Sequence, residues 1–258
     1  MTYATLTVEV EDSVALVTIN RPQVRNAVSR QVVVDLQAAL SAIRHDERVG
    51  AAVFTGAGER AFVAGADIAQ LKSYTLHTAL ESDMQRICDE IEAFEKPTLA
   101  AVNGFALGGG CELAMACDIR IASCNAHFGL PETNLAVLPG AGGTQRLARL
   151  IGTGRAIELI LTGRTLDAAE AQHVGLVSAI VPLADLLTTA RAIARRILAK
   201  GPLAVRLAKL VIRSGMDADQ RTGLVVERLA QALLYTSVDK QEGATAFLEK
   251  RAPVFTGN

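Results

Sequence analysis

Hydrophobic positions change their period along this chain, and the changes mark where strands give way to helices. Leu6, Val8 and Val10 alternate with Thr7 and Glu9, the period-two pattern of a half-buried strand. Val14, Leu16 and Ile19 form a second β-rich run after the Glu11-Asp12 turn, so the two segments read as paired strands. Arg21-Pro22 ends that section, and Ser29 is placed to cap a helix through Leu40, with Val33, Leu36, Ala39, Leu40 and Ile43 as its apolar stripe. Ala51-Ala52-Val53-Phe54 is continuously apolar, as in a strand buried on both faces. A glycine-rich turn, Gly56 to Gly58, and the segment Phe62 to Asp67 follow, and helical character returns between Thr78 and Phe94. Leu99-Ala100-Ala101-Val102 predicts the next strand, which leads through Gly104 into Gly108-Gly109-Gly110 and a helix ending near Cys117. Ile119 to Ala122 starts a fourth strand region. Strands alternating with helices, with glycine-rich turns at strand ends, make an α/β chain.

Beyond Pro139-Gly140 the pattern predicts short helices at Gly143–Leu150, Ala156–Leu161 and Ala168–Gln172, then an extended segment, Leu176–Val181. From Pro182 it is helical only, near Leu183–Ala199, Leu203–Ser214, Asp219–Tyr235 and Lys240–Glu249. The expected division is residues 1–195 for a core and 196–258 for a helical region that packs on the core or on another subunit.

Composition narrows the classes. The 258 residues fit one large domain, with or without a small appendage, and 50% hydrophobic residues supply a core. Aromatics are 4% and Trp is absent, so Ala, Leu, Val and Ile do most of the packing. A net charge of -1 argues against a chain built to wrap nucleic acid. Cys88, Cys111, Cys117 and Cys124 include no CxxC pair and read as buried or half-buried thiols in a reducing compartment, which places the protein in the cytoplasm. The four histidines, His45, His77, His127 and His173, form no HExxH or Cys/His cluster, so no metal is expected. Met1 to Val10 reads as a strand rather than a leader, and no apolar run of about 18 residues suggests a membrane span.

Two glycine loops and two acids carry the candidate chemistry. The amides that open a helix lack internal partners, and glycines at Gly108-Gly109-Gly110 would let a ligand oxygen approach them. Ala64-Gly65-Ala66-Asp67-Ile68 is a second such loop, and one N–H from each would hold a developing enolate oxygen. Tight helix–strand packing explains the glycines equally well, and Asp67 would also serve as a helix cap. Glu112 and Glu132 lie in uncharged stretches, where a buried carboxylate needs a partner or a purpose. Capping or a hidden ion pair is one reason; a shared site that takes one proton from water and gives another to carbon is the other. Leu138 to Leu147 lacks both GxxxxGK[ST] and a Rossmann GxGxxG, so nucleotide hydrolysis and hydride transfer have little support, and Arg146 reads as a structural ion-pair partner.

Together these segments resemble the crotonase, or enoyl-CoA hydratase/isomerase, superfamily. The resemblance runs from Asn20-Arg21-Pro22 with Asn26-Ala27 to Lys240-Gln241-Glu242-Gly243 and Phe247-Leu248-Glu249-Lys250-Arg251. Its most specific parts are Ala64 to Asp67, Asn103 to Leu113, and Pro131-Glu132 through Gln145-Arg146-Leu147. It implies an α/β crotonase (ClpP-like) fold of repeated ββα units forming a superhelix, with C-terminal helices that build trimers, commonly paired as hexamers. It also implies that the backbone N–H groups of Ala66 and Gly109 hold a thioester carbonyl oxygen. Glu112 would activate water as base, Glu132 would protonate the α-carbon, and the Gly140 N–H would help hold the water. Ala64, Ala66, Asp67, Ile68, Leu107, Gly109, Leu130, Pro131, Phe247 and Lys250 match positions that touch the acyl-CoA. The implied reaction is reversible hydration of a trans-2-enoyl-CoA to a 3-hydroxyacyl-CoA, with no cofactor beyond the coenzyme A of the substrate.

The chain departs from the pattern at Leu130, where some hydratases carry Gln, and at Ala69, which replaces a frequent Lys; Lys250, contributed by a neighbouring subunit, would partly compensate for the second. The segment Gln70 to Asp83, with Leu71, Tyr74, Leu76 and Leu80, is expected to line the acyl-tail pocket, and His77 to be a surface or packing residue. The rival activities are double-bond isomerisation and another acyl-CoA reaction of the superfamily; paired glutamates weigh against the first. An RNA-associated relative without catalysis is the rival of another class, and it lacks a basic stripe interleaved with aromatics.

Overall fold

The computed structural model describes residues 2–67, 72, 74–81 and 83–258, apart from the side chain of Ala79. The first two strands, β1 (Leu6–Glu11) and β2 (Val14–Ile19), pair antiparallel across a two-residue turn. Asp12 and Ser13 both have positive φ, 49° and 61°, the turn geometry whose twist matches that of the flanking strands. Helix α1 (Arg30–His45) follows, then β3 (Ala51–Gly56) and β4 (Ala61–Val63), with α2 (Leu76–Glu81) and α3 (Asp83–Glu92) behind them. The next unit is β5 (Thr98–Val102), β6 (Phe105–Leu107) and α4 (Gly109–Ala116), and β7 (Ile119–Ser123) and β8 (His127–Gly129) begin another. From the second unit on, the first strand of each pair joins a sheet ordered β1-β2-β3-β5-β7-β10, and the second joins a smaller sheet, β4-β6-β8-β9. The remaining elements are α5 (Gly143–Ile151), α6 (Thr153–Thr162), β9 (Thr165–Asp167), α7 (Ala168–His173), β10 (Ala179–Val181) and α8 (Leu186–Leu198). Three helices complete the chain: α9 (Pro202–Met216), α10 (Gln220–Leu234) and α11 (Val238–Glu249).

The continuous apolar runs arise because the large sheet is covered on both faces. Ala52, Phe54, Ala100 and Val102 turn toward α1, α3 and the smaller sheet, where Leu36, Leu40, Ile87, Phe94 and Phe128 complete the main core. Their neighbours Ala51, Val53, Leu99 and Ala101 turn the other way, onto Leu186, Ala190 and Ala194 of α8. Period two along the strands and a four-residue repeat on the helix therefore meet in a second, smaller core. The expected division after residue 195 falls inside α8, where Ile197 and Leu198 still pack against that second core. Helices α9 and α10 pack on each other and bury no residue fully, leaving Leu210, Ile212, Leu229 and Leu233 exposed.

Some local expectations are corrected. Helix α1 runs past Leu40 to His45, as Ile43 in its apolar stripe requires, and Ser29 holds the cap position without a hydroxyl hydrogen bond. The helical stretch expected from Thr78 is divided into α2 and α3. Cys88, Cys111 and Cys117 are buried thiols, but Cys124 is exposed because it lies in the turn just beyond β7. Among the described residues no helix is long and apolar enough to cross a membrane.

Candidate active site

The segment Ala64–Asp67 leaves β4 and pairs with the backbone at Arg25–Val28. Ala64 N–H donates to Arg25 O at 3.1 Å, Val28 N–H to Gly65 O at 2.9 Å, and Asp67 N–H to Val28 O at 2.9 Å. These bonds make a parallel bridge between Val28 and Ala66. In an extended chain successive amides face opposite sides. Because Gly65 and Asp67 are spent on Val28, the Ala66 N–H faces away, and among the described residues it has no acceptor. Arg21 braces the segment, donating to Ala27 O at 2.6 Å and pairing with the Asp67 carboxylate at 3.7 Å.

The second amide opens α4. Gly108, at φ 51°, donates its N–H to Gly129 O at 2.9 Å, and the helix begins at Gly109. Gly109 N–H belongs to the first turn and has no acceptor among the described residues. The two glycine loops meet: a Cβ built on Gly108 would lie 3.8 Å from Gly65 Cα and 2.9 Å from Glu132 Oε1. Helix α4 sits this close to β4 only because Gly110 has no side chain; a methyl there would overlap the Val63 carbonyl.

The two acids occupy unlike surroundings. Glu112, 2% exposed on the first turn of α4, accepts hydrogen bonds on Oε1 from Ala141 N at 2.7 Å and Gly143 N at 2.8 Å. Burial pushes its carboxyl above the usual range, while the Gly143 and Ala141 amides and Arg146 pull it back. Glu132 lies in a 3-10 turn, Pro131–Leu135, and its Oε2 is buried without a partner among the described residues. Burial pushes Glu132 up to about 7; its own backbone amide opposes the rise and the neighbouring Glu112 adds to it. Burial thus raises both carboxyls, but only Glu112 has two amides and a cation opposing the rise, so of the two it gives up its proton more readily and Glu132 keeps its own to about pH 7, the division a proton acceptor and a proton donor require.

The other expected positions fall in three groups. Ala64, Leu107 and Pro131 flank the glycine loops and Glu132, and Leu130 is wholly buried, with Cδ1 3.0 Å from where a Cβ on Gly143 would stand. Gly140 is exposed beside Ala141 and donates to no acceptor among the described residues. Ile68, Ala69, Gln70, Leu71 and Ser73 lie outside the described residues, whereas Tyr74, Leu76, His77 and Leu80 are exposed. Phe247 is 83% exposed on α11, and Lys250 ends that helix at φ 55°; neither makes a hydrogen bond or ion pair with the glutamates or the glycine loops. Arg146 pairs with Asp89 and Glu92, the structural ion pairing its sequence setting suggested. The Ala141 and Gly143 amides went unrecognised, since a backbone donor leaves no side-chain signature; the available signal was Pro139-Gly140-Ala141-Gly142-Gly143 before a helix start.

Comparison with known proteins identifies the family of the chain. The family model described as Enoyl-CoA hydratase/isomerase matches residues 9–258. A crotonyl-CoA hydratase from Syntrophomonas wolfei is 46% identical over 257 residues, 99% of either chain. A short-chain-enoyl-CoA hydratase from Clostridium acetobutylicum is 45% identical over 94% of either chain. The crystal structure of an enoyl-CoA hydratase from Bacillus anthracis superposes with a TM-score of 0.95 at 42% identity, covering 98% of this chain and 100% of that one. With the family model matched over residues 9–258, a relative 46% identical over 99% of either chain and the fold shared at a TM-score of 0.95, this chain belongs to the enoyl-CoA hydratase/isomerase family.

Proposed function

We propose that this chain is an enoyl-CoA hydratase in which Glu112 and Glu132 add water across the C2=C3 bond of a trans-2-enoyl-CoA. The carrying observation is the unequal pair: Glu112 gripped by two amides, Glu132 with an unpartnered buried oxygen. The Ala66 and Gly109 amides donate to the thioester carbonyl oxygen, which polarises the conjugated alkene further and makes C3 a better acceptor. The Glu112 carboxylate takes a proton from water as its oxygen bonds to C3. Charge collects on the gripped oxygen as an enolate, and the Glu132 carboxyl delivers its proton to C2. One water has then been added, Glu112 is protonated and Glu132 is ionised, and solvent exchange resets both. Every step is proton transfer or charge stabilisation, which main-chain amides and two carboxyls supply without a metal or redox group. The Gly140 N–H helps hold the water, and Ala64, Asp67, Ile68, Leu107, Leu130 and Pro131 contact the acyl-CoA.

The exposed apolar face of α9 and α10 fits a homotrimer, alone or as a dimer of trimers, with residues 196–258 as its oligomerisation region. In that assembly Phe247 and Lys250 would reach coenzyme A across a subunit boundary. Four free cysteines fit a cytoplasmic enzyme. Loss of enoyl-thioester absorbance from crotonyl-CoA, with mass detection of the water adduct, tests the reaction. Double-bond migration without an adduct would replace hydration by isomerisation.

A further inference from the structure

Arg146 does more than join two helices. Its guanidinium is 10% exposed and folds back from the first turn of α5 beneath the loop before it. Nη1 donates to Ala141 O at 2.7 Å, Nε to Glu92 Oε2 at 2.8 Å, and Nη2 to Asp89 Oδ1 at 2.7 Å. Gly142, at φ 95°, passes so close that a Cβ on it would overlap Nη1. The three successive peptides here alternate in direction. Ala141 N–H and Gly143 N–H converge on Glu112 Oε1, and the carbonyl between them, that of Ala141, points the other way into Arg146. Holding the middle carbonyl fixes its own peptide plane, and through the φ and ψ of Ala141 and Gly142 it restrains the amides on both sides.

The anchor extends to the C-terminal helices. Glu92 Oε1 accepts from Arg213 Nη1 of α9 at 2.6 Å, and Arg213 Nη2 donates to Asp118 Oδ1 at 2.8 Å. Lys209, also on α9, donates to Asp118 Oδ2 at 2.8 Å. The charged and titratable groups around Glu112 are Glu132, Cys88 from α3, Cys111 from its own helix, and Arg146. Burial raises both thiols, leaving Arg146 as the cation in this set.

We propose that Arg146 is a positioning residue for the catalytic base, aiming the Ala141 and Gly143 amides at Glu112 through the Ala141 carbonyl, and that Glu92 ties this cradle to Arg213 of α9. The inference rests on Glu112 acting as the base.

The test compares Arg146→Gln and Arg146→Lys in the full chain, reading kcat, KM for crotonyl-CoA and the pH dependence of kcat/KM. Arg146→Gln should lower kcat by ~10–100-fold with KM nearly unchanged, and should move the acidic limb to higher pH as Glu112 loses two aimed donors and a nearby cation. Arg146→Lys should restore the limb more than kcat, because an ammonium replaces the charge but not the planar fork. In a Glu112→Gln background, Arg146→Gln should cost no more than about 2-fold further. An unmoved limb with kcat within about 2-fold of the parent, or a full additive loss in that background, overturns the proposal. If Arg146→Gln does not fold, Glu92→Gln decides through the same limb, and no movement there overturns it equally. Retained hydration in Glu112→Gln alone would remove the base assignment; an inactive Glu112→Gln beside an unaltered Arg146→Gln would remove only the role of Arg146.

Discussion

Glu112 and Glu132 are the same side chain in one buried neighbourhood, yet the backbone treats them oppositely. Two amides meet a single oxygen of Glu112, whereas Glu132 keeps an oxygen with no partner among the described residues. A carboxylate that accepts N–H bonds is stabilised as an anion, and one buried without them is stabilised by keeping its proton. The contrast shows that how a buried carboxyl holds its proton is set by where glycine-rich loops place their amides, not by the identity of the acid.

Removing either acid should break the contrast most severely. Glu112→Gln and Glu132→Gln should each lower kcat for hydration by ~10²–10⁴-fold while leaving binding of a product-like acyl-CoA largely intact. Calorimetric titration with a 3-hydroxyacyl-CoA separates the two quantities, and retained turnover in one variant would free that acid of its role. Next in size is the pH response. Hydration needs Glu132 protonated, so kcat/KM should fall as pH rises through about 7, where burial has placed that group. The decline should approach tenfold per pH unit, and Glu132→Gln should have no such limb in its residual rate.

A smaller effect is expected at the cradle. A Cβ on Gly143 would stand 2.8 Å from Glu112 Oε1, so Gly143→Ala should push the carboxylate off its donors. We expect a kcat loss of ~10-fold, less than for deletion of the acid itself. Parental kcat in Gly143→Ala would mean the cradle yields without consequence. The smallest effect is on stability. Folding raises Glu132 from its ordinary 4.5 to about 7, so between those values the folded protein holds a proton that the unfolded chain releases. Stability from this group therefore falls as pH rises through that window and is level above it. Glu132→Gln should gain on the order of 1 kcal/mol at pH 8, after discounting for the partly solvent-facing carboxyl. Glu112→Gln should gain less, because the amides and Arg146 already offset part of its burial. Thermal melts at pH 5 and pH 8 test both.

What the sequence revealed follows from how far each signal reaches. The stripe of α1 is long enough to show a period and the apolar runs of β3 and β5 long enough to show an unbroken apolar stretch, and the structure keeps both. Strands β4, β6 and β8 have three residues each, too few to display alternation; they exist because the second sheet assembles around them. Glu112 and Glu132 stood out as charges in apolar surroundings; the structure gives Glu112 two donors, and burial raises Glu132 to about 7, where the neutral form offsets the cost. The donors themselves were hidden, since Ala141 and Gly143 have no functional group beyond their peptides. Arg146 was read as an ion-pair partner, and it is one, but the carbonyl it also holds becomes visible only when the loop closes over it.

The Val28–Ala66 bridge has a practical corollary for anyone mapping this enzyme by mutagenesis. The donor it turns away from itself, the Ala66 N–H, is a peptide group, so an alanine scan would pass over Ala66 without changing anything, and most replacements at Gly109 would keep the hydrogen in place. Proline, which has no such hydrogen, or an ester bond in place of the amide would silence it. Half of the proposed catalytic apparatus is thus written in chain geometry, out of reach of a survey that edits side chains alone.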